Sequence, residues 1–228
     1  MKHLLLLNGN TNLAMTEAMA SRAQQLLGDA VQISTMTANE SVPYIASQRD
    51  CVAAASAVVN MAEHCFSPTS IPPDALLLAC FGEPGMAAVR EFSPVPVVGM
   101  LEASVLTAMQ LGQRFSIITP GRRWPRMIED TLNGLGVNRH CLGIDAVVID
   151  DLVLPEQREQ AKIRLQTVID EQCSRLAPDV IIIGGAALAG LRDEVARPSS
   201  IKLLDSLDAA LAQANALMTL PKVNEPFG

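Results

Sequence analysis

Short apolar runs alternate with longer amphipathic stretches along the whole chain. Residues 4–7 are four consecutive leucines and read as a buried strand, and Asn8 to Asn12 read as a turn into a helix over residues 13–27. A short strand follows at 31–34 and a long helix at 47–65. Pro72 and Pro73 break the chain before a buried strand at 76–79 that ends at Cys80. Gly82-Glu83-Pro84-Gly85 then turns into a helix, with Pro84 suited to the first helical turn. The same logic predicts strands at 95–98, 115–118, 147–149 and 180–183, and helices at 101–111, 124–133, 155–175 and 206–218. This alternation predicts an α/β fold of mostly parallel sheets covered by helices.

The pattern also repeats. Asp74-Ala-Leu-Leu-Leu-Ala-Cys80 superposes on Asp179-Val-Ile-Ile-Ile-Gly-Gly185 at a spacing of 105 residues, and Leu4-Leu-Leu-Leu-Asn8 on Phe115-Ser-Ile-Ile-Thr119 at 111. Two similar lobes related by a pseudo-twofold axis are the economical reading, with the site in the cleft between them. Residues 1–95 and 205–228 are expected to form the first lobe and 96–204 the second.

Composition narrows the choice of function. Of 228 residues, 49% are hydrophobic but only 3% aromatic, so the core is built from aliphatic side chains and Met. A net charge of −7 leaves no broad basic surface for phosphate contacts, which argues against a nucleic-acid partner. The apolar run at 4–7 is far too short for a signal peptide or a membrane span, so a cytoplasmic protein without a membrane partner is expected. Five cysteines contain no C-x-x-C pair, and the odd count favours free thiols. The three histidines have no metal-ligand spacing, and no metal is expected.

In parallel α/β sheets ligands bind beyond the carboxyl ends of the strands. That rule selects Asn8, Asn10 and Thr11 after the first strand, Cys80, Phe81 and Gly82 after the third, Thr119, and finally Gly184, Gly185 and Ala186. Cys80 joins a strand end to a turn entering a helix, where backbone N–H groups and the helix dipole are expected to lower its pKa. Such a thiol serves as acid, base or nucleophile. Cys51, Cys65 and Cys173 fall within helices and read as core, Cys141 has no catalytic setting, and Arg122-Arg123 reads as a solvated pair. Asn8, Asn10, Thr11 and Thr119 combine hydrogen-bonding capacity with ordinary helix-capping chemistry, and the glycines allow close backbone approach.

Those residues resemble the hydantoin-racemase branch of the aspartate/glutamate racemase superfamily over nearly the full chain. Asn8-Gly9-Asn10-Thr11 with Met15-Thr16 is similar to the branch's Asn-Pro-Asn-Thr and Met-Thr segment, Gly9 replacing Pro. The run from Ala79 to Met86, followed by Ala87-Ala88-Val89-Arg90-Glu91, is similar to the segment carrying the first catalytic cysteine. Val97-Val98-Gly99, residues 115–119 and Leu204-Asp205-Ser206 occupy later landmarks. The resemblance implies a two-lobed fold, a small carboxylate or amide substrate between the lobes, and no metal, pyridoxal phosphate or nucleotide. It also implies two thiols facing opposite sides of a substrate carbon. The second motif, typically Gly-Cys-Ala-Gly-Met-Ala, here reads Gly184-Gly185-Ala186-Ala187-Leu188-Ala189, so Gly185 stands where the second thiol is expected. A racemase or isomerase using Cys80 is one expectation. A one-cysteine lyase resembling arylmalonate decarboxylase and a non-catalytic ligand-binding homologue remain open, as does assembly into a homo-oligomer.

Overall fold

The computed structural model describes residues 1–68, 70–148, 155–196, 198 and 200–220. Two four-stranded parallel sheets organise them. The first contains β1 (Lys2–Asn8), β2 (Val31–Thr37), β3 (Ala75–Leu78) and β4 (Val97–Gly99) in the order β2-β1-β3-β4. Its helices are α1 (Leu13–Leu27), α2 (Gln48–Cys65), α3 (Met86–Phe92) and α4 (Met100–Leu111). The second contains β5 (Phe115–Pro120), β6 (Cys141–Val147), β7 (Val180–Ile183) and β8 (Lys202–Asp205) in the matching order β6-β5-β7-β8. It carries α5 (Trp124–Gly134), α6 (Pro155–Leu176) and α7 (Ser206–Leu217). Continuous apolar runs suit the central strands β1, β3, β5 and β7 because both faces of a parallel sheet are covered.

The internal repeat is visible in detail. Leu4 pairs with Ala75 between β1 and β3, and Phe115 with Val180 between β5 and β7. Asp74 Oδ2 accepts from His3 N at 2.9 Å, while Asp179 Oδ2 accepts from Arg114 N at 2.9 Å. In return Asp74 N donates to the His3 carbonyl and Asp179 N to that of Arg114. The same carboxylate ties the start of the central strand in both halves, as the 105- and 111-residue superpositions require.

Several expectations change. The strand expected at 147–149 is β6, which ends at Val147. Its sequence Cys-Leu-Gly-Ile-Asp-Ala-Val is only half-buried at the sheet edge, and Asp145 pairs with Arg175 at 2.6 Å, so its apolar signal is diluted. The four-residue β8 is too short to stand out from its turn. Pro84 precedes α3 rather than opening it, because Gly85 caps the helix with φ +79° and the helix begins at Met86. β4 pairs with β3, so the first sheet runs to Gly99.

The helices after β4 and β8 exchange sides. α4 packs on β7 and β8, α7 packs on β3, β4 and α1, and the two helices pack on each other. Leu77, Leu101, Ile117, Ile182 and Leu207 thereby belong to one buried apolar cluster spanning both sheets. Separate clusters fill the outer faces, one around Leu76 and Val58 and the other around Ile181 and Leu165. Leu207 on α7 is fully buried. Leu207→Ala should lower stability by about 2–5 kcal/mol in denaturant titration. Trp124 fluorescence and helical circular dichroism should fall together, since the cluster joins both lobes; separated transitions would contradict this.

Candidate functional site

The carboxyl ends of β1, β3, β5 and β7 converge on a cavity of about 30 Å³, room for one or two waters. Of the residues expected from the sequence, Asn10, Cys80, Phe81, Thr119, Gly185 and Ala186 line it. Tyr44, Ile45 and Trp124 complete its walls, together with Met15 and Pro120. Asn8, Thr11, Gly82 and Gly184 lie behind the lining. Asn8 is fully buried, and its Nδ2 donates to Asn10 Oδ1 at 3.0 Å and Thr16 Oγ1 at 2.9 Å, which sets the orientation of Asn10. Thr11 N donates to the Val42 carbonyl at 3.1 Å and holds the loop that carries Tyr44.

The two glycines seat rings from the opposite lobe. A side chain on Gly184 would occupy the place of the Phe81 ring, and one on Gly82 the place of the Trp124 indole. Trp124 also donates its Nε1–H to the Ile45 carbonyl at 3.2 Å. These contacts pack the two lobes against each other beside the cavity.

Cys80 is buried, and burial pushes its thiol up to about 12. The Gly82 and Glu83 backbone N–H groups favour the thiolate, while Cys51 and the Glu83 carboxylate oppose it. This reverses the sequence-based expectation. Desolvation of the buried sulfur exceeds the stabilisation that the local backbone donors give the thiolate. Tyr44 keeps 37% of its surface exposed, yet its hydroxyl is desolvated and pushed up to about 12, burial first and Cys80 next. Thr119 Oγ1 is buried without a hydrogen-bond partner. Asn10 Oδ1 is engaged by Asn8 Nδ2 and by Asn12 N at 2.9 Å, whereas its Nδ2 meets only Met15 Sδ at 3.7 Å. The cavity therefore presents a protonated thiol, a phenol, a hydroxyl and an amide donor, with no Lys, Arg or His among the described residues that line it.

Gly185 shares the cavity with Cys80, and its backbone adopts a conformation that favours glycine. Its φ of +103° disfavours an L side chain, and an added Cβ would lie 2.8 Å from Pro120 Cδ. The Gly185 N–H donates to Ser206 Oγ at 3.2 Å. Tyr44 and Trp124 are absent from the sequence-based set because neither follows a central strand directly. A usable signal existed: they are the only Tyr and the only Trp of the chain.

Two matching parallel α/β halves with a buried thiol in the cleft between them define the class of protein. The chain belongs to the Asp/Glu/hydantoin racemase family, whose sequence model matches residues 4–214. It is 28% identical over 216 residues to a hydantoin racemase of Rhizobium meliloti, covering 95% of this chain and 88% of the relative. The fold is similar to that of an allantoin racemase from Klebsiella pneumoniae, with TM-score 0.87 at 24% identity over 100% of this chain and 97% of the other. A liganded arylmalonate decarboxylase variant, in which one glycine became cysteine and one cysteine became serine, gives TM-score 0.68 at 14% identity over 97% of both chains. These two likenesses show the fold. No helix among the described residues is long and apolar enough to cross a membrane.

Two buried carboxylates flank the cleft. Glu83 Oε1 accepts from Glu102 N at 2.7 Å at the start of α4, and burial pushes this carboxyl up to about 7. Asp205 Oδ1 accepts from Leu207 N at 2.8 Å at the start of α7, and burial followed by the Asp208 charge pushes it up to about 6. A carboxyl whose pKa is raised by folding contributes stability below its unfolded value, and that contribution is lost as pH rises through the folded value. The melting temperature should therefore fall between about pH 5 and about pH 8, and Glu83→Gln with Asp205→Asn should flatten the decline. A wild-type curve that rises across this window would exclude the assignment.

Proposed function

We propose that this protein is a cofactor-independent isomerase-type enzyme that moves a proton at the chiral carbon of a small carbon acid, with Cys80 as its acid/base. The observation that carries this reading is the buried Cys80 thiol at the end of β3, opening into an interlobe cavity of uncharged hydrogen-bond donors. A lining without cationic side chains favours a neutral amide ring, a hydantoin or related compound, over a free amino acid whose carboxylate asks for a counter-charge. The hydantoin racemase relative supports the same choice.

Each group then has a role. The Asn10 amide N–H and the Thr119 hydroxyl are free to donate to the carbonyl oxygen that turns into an enolate oxygen as the adjacent carbon loses its proton. Phe81, Tyr44 and Trp124 flank the ring, and Gly185 and Ala186 let the second lobe approach it closely. Removal of the proton by the Cys80 thiolate gives the thiol and the enolate; return of a proton from Cys80 restores the starting enantiomer, and delivery of a proton by water on the opposite face, with Cys80 keeping the first, inverts the centre. The high pKa makes the thiolate a stronger base toward a weak carbon acid and the thiol a persistent proton donor, while reducing the thiolate present at neutral pH.

Gly185 favours a second reading. With no side-chain acid at the position that faces Cys80, a lyase that creates its carbanion by bond cleavage needs only the one thiol to protonate one face. The fold likeness to arylmalonate decarboxylase supports this alternative.

Each enantiomer of a 5-substituted hydantoin in deuterated water separates the readings by NMR and chiral chromatography. Racemisation with exchange at the chiral carbon is expected, falling about 100-fold or more in Cys80→Ser. Conversion of a prochiral arylmalonate into one enantiomer, with the hydantoin untouched, would establish the lyase instead. Thermal stabilisation by either compound without turnover would leave a binding protein. Gly185→Cys should be destabilised by about 1–3 kcal/mol through its positive φ, and should gain no racemisation until Pro120 is also shortened.

A further inference from the structure

Glu83 lies three residues beyond Cys80 and departs from ordinary backbone geometry. Its φ is +50°, and Ala177 is the only other non-glycine residue with a positive φ among those described. A glutamate has no intrinsic preference for that region, so something must hold it there. The holding contacts are visible. Glu83 N donates to the Cys80 carbonyl at 3.0 Å, Met86 N donates to the Glu83 carbonyl at 3.2 Å, and the side chain reaches α4, where Oε1 accepts from Glu102 N. The carboxyl is buried in the space that a side chain on Gly99 would fill.

The second lobe shows that this is a matched arrangement. Gly99 pairs with Leu78 as Asp205 pairs with Ile183. Asp205 caps its own helix, α7, and its Oδ2 also accepts from Gly190 N, in the loop after β7, at 2.8 Å. In both halves one buried carboxylate ties the loop after the central strand to the start of the exchanged helix. In the first half that carboxylate sits on the loop, beside the thiol.

We propose that Glu83 is a positioning residue whose buried carboxylate, by gripping the start of α4, holds the Cys80 turn in its left-handed form and adjusts the acidity of the thiol through its own charge. The turn keeps the Gly82 and Glu83 N–H groups favouring the thiolate, while the ionised Glu83 carboxylate opposes it. The other charged or titratable groups acting on this pair are Arg90 from α3, Glu102 from α4, Cys51 from α2 and Tyr44 from the loop before α2. Arg90 pairs with Glu102 at 2.8 Å, so the carboxylate is not directly neutralised by it. With Glu83 pushed up to about 7, its charge changes near neutral pH.

The inference rests on Cys80 as the reacting group, but its test reads the thiol and not turnover. Alkylation of Cys80 by iodoacetamide is followed by mass spectrometry from about pH 5 to about pH 10 in wild type, Glu83→Gln and Gly99→Ala. In wild type the logarithm of the rate should rise with pH, slacken as Glu83 ionises, and then resume. Glu83→Gln keeps an oxygen acceptor for Glu102 N and loses the charge. Its profile should coincide with wild type at low pH, show no break, and run on the order of tenfold faster above neutrality. Gly99→Ala displaces the carboxyl and should raise labelling across the whole range by exposing the thiol. A purely structural Glu83 would change labelling equally at every pH, which would overturn the electrostatic role, as would superposable wild-type and Glu83→Gln profiles. Should either variant misfold, an unbroken wild-type profile overturns the proposal and a break near neutrality upholds it. An intact pH effect with no turnover of any hydantoin or malonate would count against the proposed function alone.

Discussion

The cleft depends on one packing arrangement, the exchange of α4 and α7 between the sheets. Each helix leaves the strand that precedes it and covers the other sheet, so the two sheets share a single apolar layer. That layer turns the carboxyl ends of β1, β3, β5 and β7 toward one another. Parallel strands make the geometry productive, because all four central ends then deliver loops to the same edge. The aliphatic composition suits such a layer, and at the junction two rings, Phe81 and Trp124, cross between lobes onto Gly184 and Gly82.

Within the cleft, desolvation outweighs every local electrostatic aid. Cys80 has backbone N–H groups favouring its thiolate, yet its thiol is pushed up to about 12 because the sulfur is buried. Tyr44 responds in the same way. Beside them, Thr119 Oγ1 is buried without a hydrogen-bond partner and Asn10 Nδ2 meets only a sulfur, so the cavity wall keeps uncharged donors to spare. Glu83 and Asp205 follow the same rule: each accepts from a backbone N–H at the start of a helix, yet burial pushes both carboxyls up.

The two halves match in scaffold and differ at the site. Asp74 and Asp179 make equivalent contacts, and the strand registers superpose. The loops after β3 and β7 do not. One carries a thiol in a turn braced by Glu83; the other carries Gly185 in a conformation that suits only glycine, against Pro120.

The sequence by itself determined the α/β class, the two-lobed repeat and the racemase family, because these follow from local apolar runs and from motifs read in order. It located Asn10, Cys80, Phe81, Thr119, Gly185 and Ala186, all of which line the cavity. It misjudged β6 and β8, whose strand character comes from pairing at sheet edges rather than from continuous hydrophobicity. Only the tertiary structure decided that Asn8, Gly82 and Gly184 support the site from behind, and that Tyr44 and Trp124 form its walls. Only it reversed the direction of the Cys80 pKa, since burial is a property of the assembled lobes while the turn that favours the thiolate is local. The bracing role inferred for Glu83 has the same origin: its left-handed backbone and its hold on α4 join segments nineteen residues apart, and no local pattern encodes that contact.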